Sequence, residues 1–197
     1  MILKQLKEST REMHEQLESL VNVLDESGTL DSYRVLIARF YLLYRAIEGA
    51  MPAEELRAHG YDLAVRAKLS SLENDLAALE IADAKALAGI PVPVSLDLQS
   101  LDRAFGAAYV LEGATLGGQV ISRYLRSALG IGPANGGAFF GSYGNEVGPM
   151  WKEFGAAINA YAEAGGDPAV IIEGAQDTFG VFIRCFQKSS KVRSVAN

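Results

Sequence analysis

The stretch YVLEGATLGGQVISRY at residues 109–124 limits the folds open to this chain more than any other part of the sequence. It has a helical pattern, yet it contains Gly113, Gly117 and Gly118, each of which costs about 0.8–1 kcal/mol relative to alanine in a helix interior. Gly113 and Gly117 are four residues apart and share one helix face, and Gly106 extends the same stripe. A glycine stripe lets another group approach the backbone and softens the helix so that it can bend. Two interpretations remain open at this point: close packing of a second helix, or contact with a flat ligand.

The rest of the chain is also helical in pattern, and no stretch alternates with period two for long enough to predict a strand. A length of 197 residues with 49% hydrophobic and 21% charged residues suits one compact domain. We therefore expect an all-α fold with a single domain over 1–197, in which 189–197 form a flexible tail. The predicted helices cover residues 2–24, 31–50, 52–60, 62–79, 100–129, 149–164 and 168–188, with an irregular connector at 81–100.

Composition excludes several classes of partner. The net charge of −6 argues against binding to the phosphate backbone of nucleic acid. The single cysteine, Cys185, cannot form an intrachain disulfide, which favours a reducing compartment. No run of about 18 apolar residues predicts a membrane span, and the charged N-terminus does not resemble a signal peptide. These features predict a cytoplasmic protein, with a monomer as the default state.

Of the two histidines, His14 is the candidate for chemistry. It shares the apolar face of the first helix, whereas His59 precedes a helix-ending glycine and is expected to face solvent. Glu18 follows one turn later, where a carboxylate can accept a hydrogen bond from the imidazole and fix its tautomer. Lys7 lies two turns earlier on the same face, about 10 Å along the helix axis. A satisfied core histidine remains the alternative interpretation.

Several metal and nucleophile chemistries do not fit these residues. A ferritin-like di-iron site needs Glu-x-x-His on two helices, and neither histidine has a glutamate three residues before it. A zinc site lacks ligands, and no G-x-S-x-G element indicates a Ser-His-Asp hydrolase. One axial histidine is sufficient for haem iron.

Two motifs at separate positions carry a resemblance to a known family. STREMHEQLE at residues 9–18 resembles the proximal-helix signature of the haem oxygenases, and YVLEGATLGGQVI resembles their distal-helix signature. GGAFFGSYGNEVGPMWKEF and TFGVFIRCF are similar to the bacterial branch, including the members associated with bacteriophytochromes. The match covers most of the chain.

The resemblance implies a fold and a reaction. Haem b would lie between the first helix and a kinked glycine helix, as both cofactor and substrate. The family reaction oxidises haem with O2 and electrons from a ferredoxin, a flavodoxin or a reductase, and yields biliverdin, CO and free iron. The resemblance assigns His14 as the iron ligand with Glu18 as its hydrogen-bond partner. The remaining implied site residues are Gly113, Gly117 and Gly118 on the distal face, and Lys7 and Tyr109 near the propionates. Arg123 and Arg126 follow the glycines and are more weakly implied, as a source of positive charge.

One position departs from the family pattern. Many members carry Asp or Asn directly after the glycine at position 113, where it organises distal water, whereas this chain has Ala114 followed by Thr115. Thr115 or another polar group would then hold that water in an active enzyme. Two further alternatives are a haem carrier or sensor that lost the proton relay, and a related helical enzyme such as the thiamin-degrading families. The last is disfavoured because Cys185 lies far from both motifs in the sequence.

Overall fold

The computed structural model describes residues 1–21, 28–90 and 96–193, with side chains up to residue 187. The predicted all-α class is confirmed, and the described residues form no strand. Nor does any described helix combine the length and apolarity needed to cross a membrane. The helices are α1 (Ile2–Leu20), α2 (Leu30–Glu48), α3 (Ala53–Ala58), α4 (Leu63–Arg66), α5 (Leu69–Ala78), α6 (Ala84–Ala88), α7 (Leu101–Leu129), α8 (Ala138–Gly141), α9 (Val147–Glu163) and α10 (Pro168–Arg193), with a 3₁₀ turn at Gly144–Glu146.

The long helices begin and end where local signals place them. α7 ends at Gly130, which adopts the left-handed conformation with φ of 66° that favours glycine at this position. α10 begins at Pro168, and the Asp167 carboxylate caps it by accepting a hydrogen bond from the Ala169 N–H at 2.9 Å. The backbone of α10 continues past the predicted end at 188 to Arg193. Residues 194–197 of the predicted tail, and residues 22–24 of the predicted first helix, lie outside the described residues.

Two predicted helix starts are wrong by a few residues. α2 begins at Leu30 and not at residue 31, because Thr29 caps it: Thr29 and Ser32 exchange side-chain and backbone hydrogen bonds in a capping box. α9 begins at Val147, two residues before Pro149, since proline fits any position of the first helical turn.

The predicted single helix over 62–79 is divided into α4 and α5. Ala67 has an extended ψ of 142°, which interrupts the helix. The cause is the buried carboxylate of Glu48 on α2, which accepts hydrogen bonds from the backbone N–H of Lys68 at 2.7 Å and of Leu69 at 3.2 Å. A carboxylate at the start of α5 satisfies donors that would otherwise be unpaired and favours a new helix N-terminus there.

The core forms where α7 packs on α10 and α10 packs on α1. At the α7–α10 crossing, a Cβ on Gly106 would overlap the Ile171 carbonyl oxygen, and one on Gly174 would overlap the backbone of Arg103. Glycine at both positions therefore lets the two backbones approach closely. The aromatic part of the core combines α2, α8 and α10 through Phe40, Tyr44, Phe139, Phe140, Phe182 and Phe186.

Candidate functional site

A cavity of about 920 Å³ lies between α1 and α7. Its lining includes every residue that the sequence predicted for the site except Arg123 and Arg126: Lys7, His14, Glu18, Tyr109, Gly113, Thr115, Gly117 and Gly118. Side chains from α2, α8, α9 and α10 complete the wall. The two sequence motifs, about a hundred residues apart, therefore face one common space.

His14 lies on the face of α1 that forms the cavity wall, with 55% of its side chain exposed. Its Nδ1 is 3.6 Å from Glu18 Oε2, a distance typical of an ion pair and too long for a hydrogen bond. The ring meets Phe179 edge-on, with 6.0 Å between centroids. This arrangement directs Nδ1 towards Glu18 and leaves Nε2 available as a ligand; the hydrogen bond to Glu18 stays a prediction.

Both interpretations of the glycine stripe apply, at different residues of α7. Gly106 serves helix packing, as described above. A Cβ on Gly113 or on Gly117 would meet nothing within 4 Å, so these two glycines present open backbone to the cavity. Gly118 also lines the cavity, but a Cβ there would lie 3.1 Å from the Phe140 carbonyl oxygen, so this glycine serves the contact with α8. α7 is continuous over its 29 residues, and a kink stays a prediction.

Thr115 is buried on the cavity wall, and its hydroxyl donates to the Glu112 carbonyl oxygen at 2.7 Å. The proton of this hydroxyl is therefore committed to the helix backbone, while its oxygen lone pairs can still accept a hydrogen bond. Ala114 beside it contributes only a methyl group. Thr115 can thus hold water as an acceptor in this geometry.

The predicted anion-binding residues do not all lie together. Lys7 lines the cavity and is exposed, as is Arg11 one turn later. Tyr109 is partly buried beside Trp151, and burial raises the pKa of its phenol, an effect opposed by a hydrogen bond with the Thr10 side chain. Arg123 lies on the exposed side of α7, where its Nε donates to the Gln119 carbonyl oxygen at 3.2 Å.

Sequence reasoning missed much of the lining. Aromatic side chains at helical spacing do not indicate a site, because a cavity wall and a core have the same pattern. Lys68 gave no signal, since its place depends on the interruption between α4 and α5. The additional lining residues include Phe40, Tyr44, Lys68, Phe139, Phe140, Trp151, Phe179 and Phe182.

A buried polar cluster lies against α7, next to Gly113. The Glu112 carboxylate accepts hydrogen bonds from Tyr143 at 2.9 Å and from Tyr61 at 3.3 Å, and it pairs with Arg66 at 3.1 Å. Burial raises the pKa of Glu112, while Arg66 and the Tyr143 hydrogen bond act in the opposite direction. The cluster ties α7 to α4 and to the segment that carries Tyr143.

The site fits a haem group. The cavity has the size of a cofactor pocket and a largely apolar lining, and most of the charged side chains in its wall belong to α1. One wall offers an imidazole, which is a sufficient axial ligand, and Gly113 and Gly117 leave space along the other. The exposed cations Lys7 and Arg11 on α1 can pair with the propionate carboxylates of haem.

This fold and this site are typical of all-α haem proteins in which one histidine faces a backbone-lined helix. The chain belongs to the haem oxygenase family: the family model described as "Heme oxygenase" matches residues 1–188. A protein of Xanthomonas campestris pv. campestris (strain 8004) called "Heme oxygenase" is 27% identical over 162 residues, which cover 82% of this chain and 92% of the relative. The chain is thereby a member of a family of haem-degrading enzymes.

Solved structures of other proteins share the fold, and three of them are compared with the chain. The NO- and CO-bound heme oxygenase from Neisseria meningitidis superposes with a TM-score of 0.77 at 18% identity, covering 95% of this chain and 91% of that one. Heme oxygenase 2 from Chlamydomonas reinhardtii without heme superposes with a TM-score of 0.73 at 17% identity, covering 94% of this chain and 96% of that one. Heme oxygenase-1 from the cyanobacterium Synechocystis sp. PCC6803 in complex with heme superposes with a TM-score of 0.68 at 19% identity, covering 98% of this chain and 95% of that one.

Proposed function

We propose that this chain binds haem b in the cavity between α1 and α7 and cleaves it, with O2 and electrons, to biliverdin, CO and free iron. The observation that carries the proposal is that His14 and the open glycines Gly113 and Gly117 line the same cavity. Bound haem supplies the iron at which O2 is reduced and the ring that is oxidised. Family membership supports an enzyme; a carrier or sensor of the same fold is the alternative that the experiment below tests.

The residues of α1 bind the haem and fix its orientation. His14 ligates the iron through Nε2, with Glu18 near enough to hold the ring orientation through Nδ1. Lys7 and Arg11 pair with the propionates at the exposed edge. Tyr109 lines the cavity, and its phenol O–H donates a hydrogen bond to a propionate.

The residues of α7 leave space and hold water. Gly113, Gly117 and Gly118 bring backbone to the distal side and offer no imidazole there. Thr115 accepts a hydrogen bond from cavity water, because its own proton is committed to Glu112. Arg123 contributes its charge at longer range, from the exposed side of the helix.

The reaction needs an external source of electrons, which we assign to a ferredoxin, a flavodoxin or a reductase. A cytoplasmic location is supported by a single cysteine, Cys185, which is buried and cannot form an intrachain disulfide. A monomer is the state expected for one chain with a complete cavity of its own.

The first test is an optical titration of the protein with hemin, followed by reductant in air. We expect a Soret band at a stoichiometry of about one, typical of histidine ligation, because the chain offers one axial ligand. The band should then bleach as a biliverdin spectrum appears. A band that never bleaches would favour the carrier or sensor, and failure to form a stoichiometric band would refute the proposed site.

A further inference from the structure

Lys68 is a buried cation on the cavity wall that none of the roles above uses. Only 6% of the residue is exposed, and it lies where the chain passes from α4 to α5. Its Nζ donates to the Arg66 carbonyl oxygen at 2.6 Å and lies 3.4 Å from the centroid of the Tyr143 ring. An ammonium group has three N–H donors, so these contacts leave donor capacity for a group in the cavity.

The position of Lys68 is fixed by the backbone. Glu48 binds the Lys68 and Leu69 N–H groups, and this interaction interrupts the helix at this residue. The side chain is then held from both ends, at its backbone by α2 and at Nζ by Arg66 and Tyr143. A charged group held in this way is preorganised.

The groups around the Lys68 ammonium leave it charged near neutral pH, and no carboxylate of the described residues forms an ion pair with it. The titratable and charged groups that face it are Glu48 from α2, Arg66 from α4, Glu112 from α7, and Tyr143. Burial lowers the pKa of Lys68 to about 8, with Glu112 and Glu48 opposing and Arg66 adding to this effect. Among the ion pairs of the described residues, none joins Nζ to a carboxylate.

The other cations of the lining differ from Lys68. Lys7 and Arg11 on α1 are exposed, which suits pairing with carboxylates at the solvent edge. On α7, Ala114 has no polar atom and the Thr115 proton is committed to Glu112. A preorganised hydrogen-bond donor on this part of the wall must therefore come from an element other than α7. Lys68 is close to α7, because its Nζ contacts the Tyr143 ring and the Tyr143 hydroxyl donates to Glu112.

We propose that Lys68 is a positioning residue that supplies a polar group on the wall where Ala114 has none, and that it holds water or a small anion next to α7. The proposal rests on the proposed haem site and adds a residue to it. An N–H of the ammonium donates to the bound water or anion, and its charge favours a negatively charged occupant over a neutral one.

The test measures the affinity of hemin-loaded protein for azide by optical titration at about pH 6.5, where Lys68 is charged. In Lys68→Met we expect the azide dissociation constant to rise about tenfold, because the cation that favours the anion is removed. Lys68→Arg should keep most of the affinity. Lys85→Met is the matched control, since Lys85 is an exposed lysine on α6 outside the lining, and its azide affinity should equal that of the unchanged protein.

The outcomes separate this inference from the proposed function. If the unchanged protein forms no Soret band, the haem site itself fails. If the band forms in all variants and Lys68→Met binds azide as tightly as the unchanged protein, the proposed role of Lys68 is wrong. A loss shared by Lys68→Arg and Lys68→Met would mean that Lys68 acts through packing and not through its charge, which would also overturn the inference.

Discussion

At the scale of single residues, the chemistry of the site depends on which atoms face the cavity. His14 is exposed to it, with Nδ1 directed at Glu18, so the side chain adds little to the stability of the fold and is available to bind. Thr115 is the opposite case: it is buried, and its proton already belongs to a backbone carbonyl. The role of each residue in the site therefore depends on which of its polar atoms have no partner within the protein.

His14→Ala tests the axial ligand. We expect the variant to lose the histidine-type Soret spectrum, with the free energy of unfolding changed by no more than about 0.5 kcal/mol because the side chain is exposed. Free imidazole should restore the spectrum by entering the vacated space. The matched control is His59→Ala, which removes the other exposed histidine, outside the lining. An unchanged spectrum in His14→Ala would refute the assignment of the ligand.

At the scale of the element, α7 performs two tasks along one glycine stripe. Near its start the helix needs glycine because α10 crosses there in backbone contact, and two turns further on it keeps glycine where the cavity begins. The same residue type is therefore required for packing at Gly106 and for space at Gly113. Helical spacing alone places both on one face and cannot distinguish them.

The pair Gly106→Ala and Gly113→Ala tests this division by urea unfolding. Gly106→Ala should destabilise the apoprotein by about 3 kcal/mol, because the new methyl group overlaps the Ile171 carbonyl. Gly113→Ala should stabilise it by about 0.5–1 kcal/mol, since the methyl group meets nothing and alanine favours the helix. Only the second variant is expected to weaken hemin binding without loss of stability. Equal effects on stability would contradict the assignment.

At the scale of the whole molecule, buried ionisable groups make stability depend on pH. The pKa of Lys68 falls from 10.5 to about 8 on folding. Between these two values the unfolded chain binds more protons than the folded one, so the free energy of unfolding rises with pH through this window. Above the usual tyrosine pKa of 10.0 the trend reverses, because burial raises the pKa of Tyr44 and Tyr61 and unfolding then releases their protons.

This linkage predicts a measurable difference between two proteins. From about pH 7.5 to 9.5, the free energy of unfolding of the unchanged protein should rise by about 1–2 kcal/mol relative to that of Lys68→Met. Urea unfolding followed by circular dichroism at several pH values provides the measurement, and Lys85→Met serves as the exposed-lysine control. Parallel curves for the unchanged protein and Lys68→Met would show that Lys68 titrates normally in the fold.

Features that depend on neighbours within a few turns follow from the amino-acid sequence alone. The apolar period predicted the helices, Gly130 and the Asp167-Pro168 pair marked the ends of the two longest ones, and the motifs around His14 and Gly113 indicated the two walls of the site. These are local properties, because helix caps and amphipathic faces are set by residues three or four positions apart.

Features that depend on distant residues arise when the helices pack together. Glu48 divides α4 from α5 and thereby places Lys68 on the cavity wall, although about twenty residues separate them. The crossing of α10 separates Gly106 from Gly113, and the packing of Phe40 and Phe182 makes aromatic residues into a cavity lining. No local pattern encodes these choices, because a hydrogen bond or overlap with another element exists only after the chain has folded.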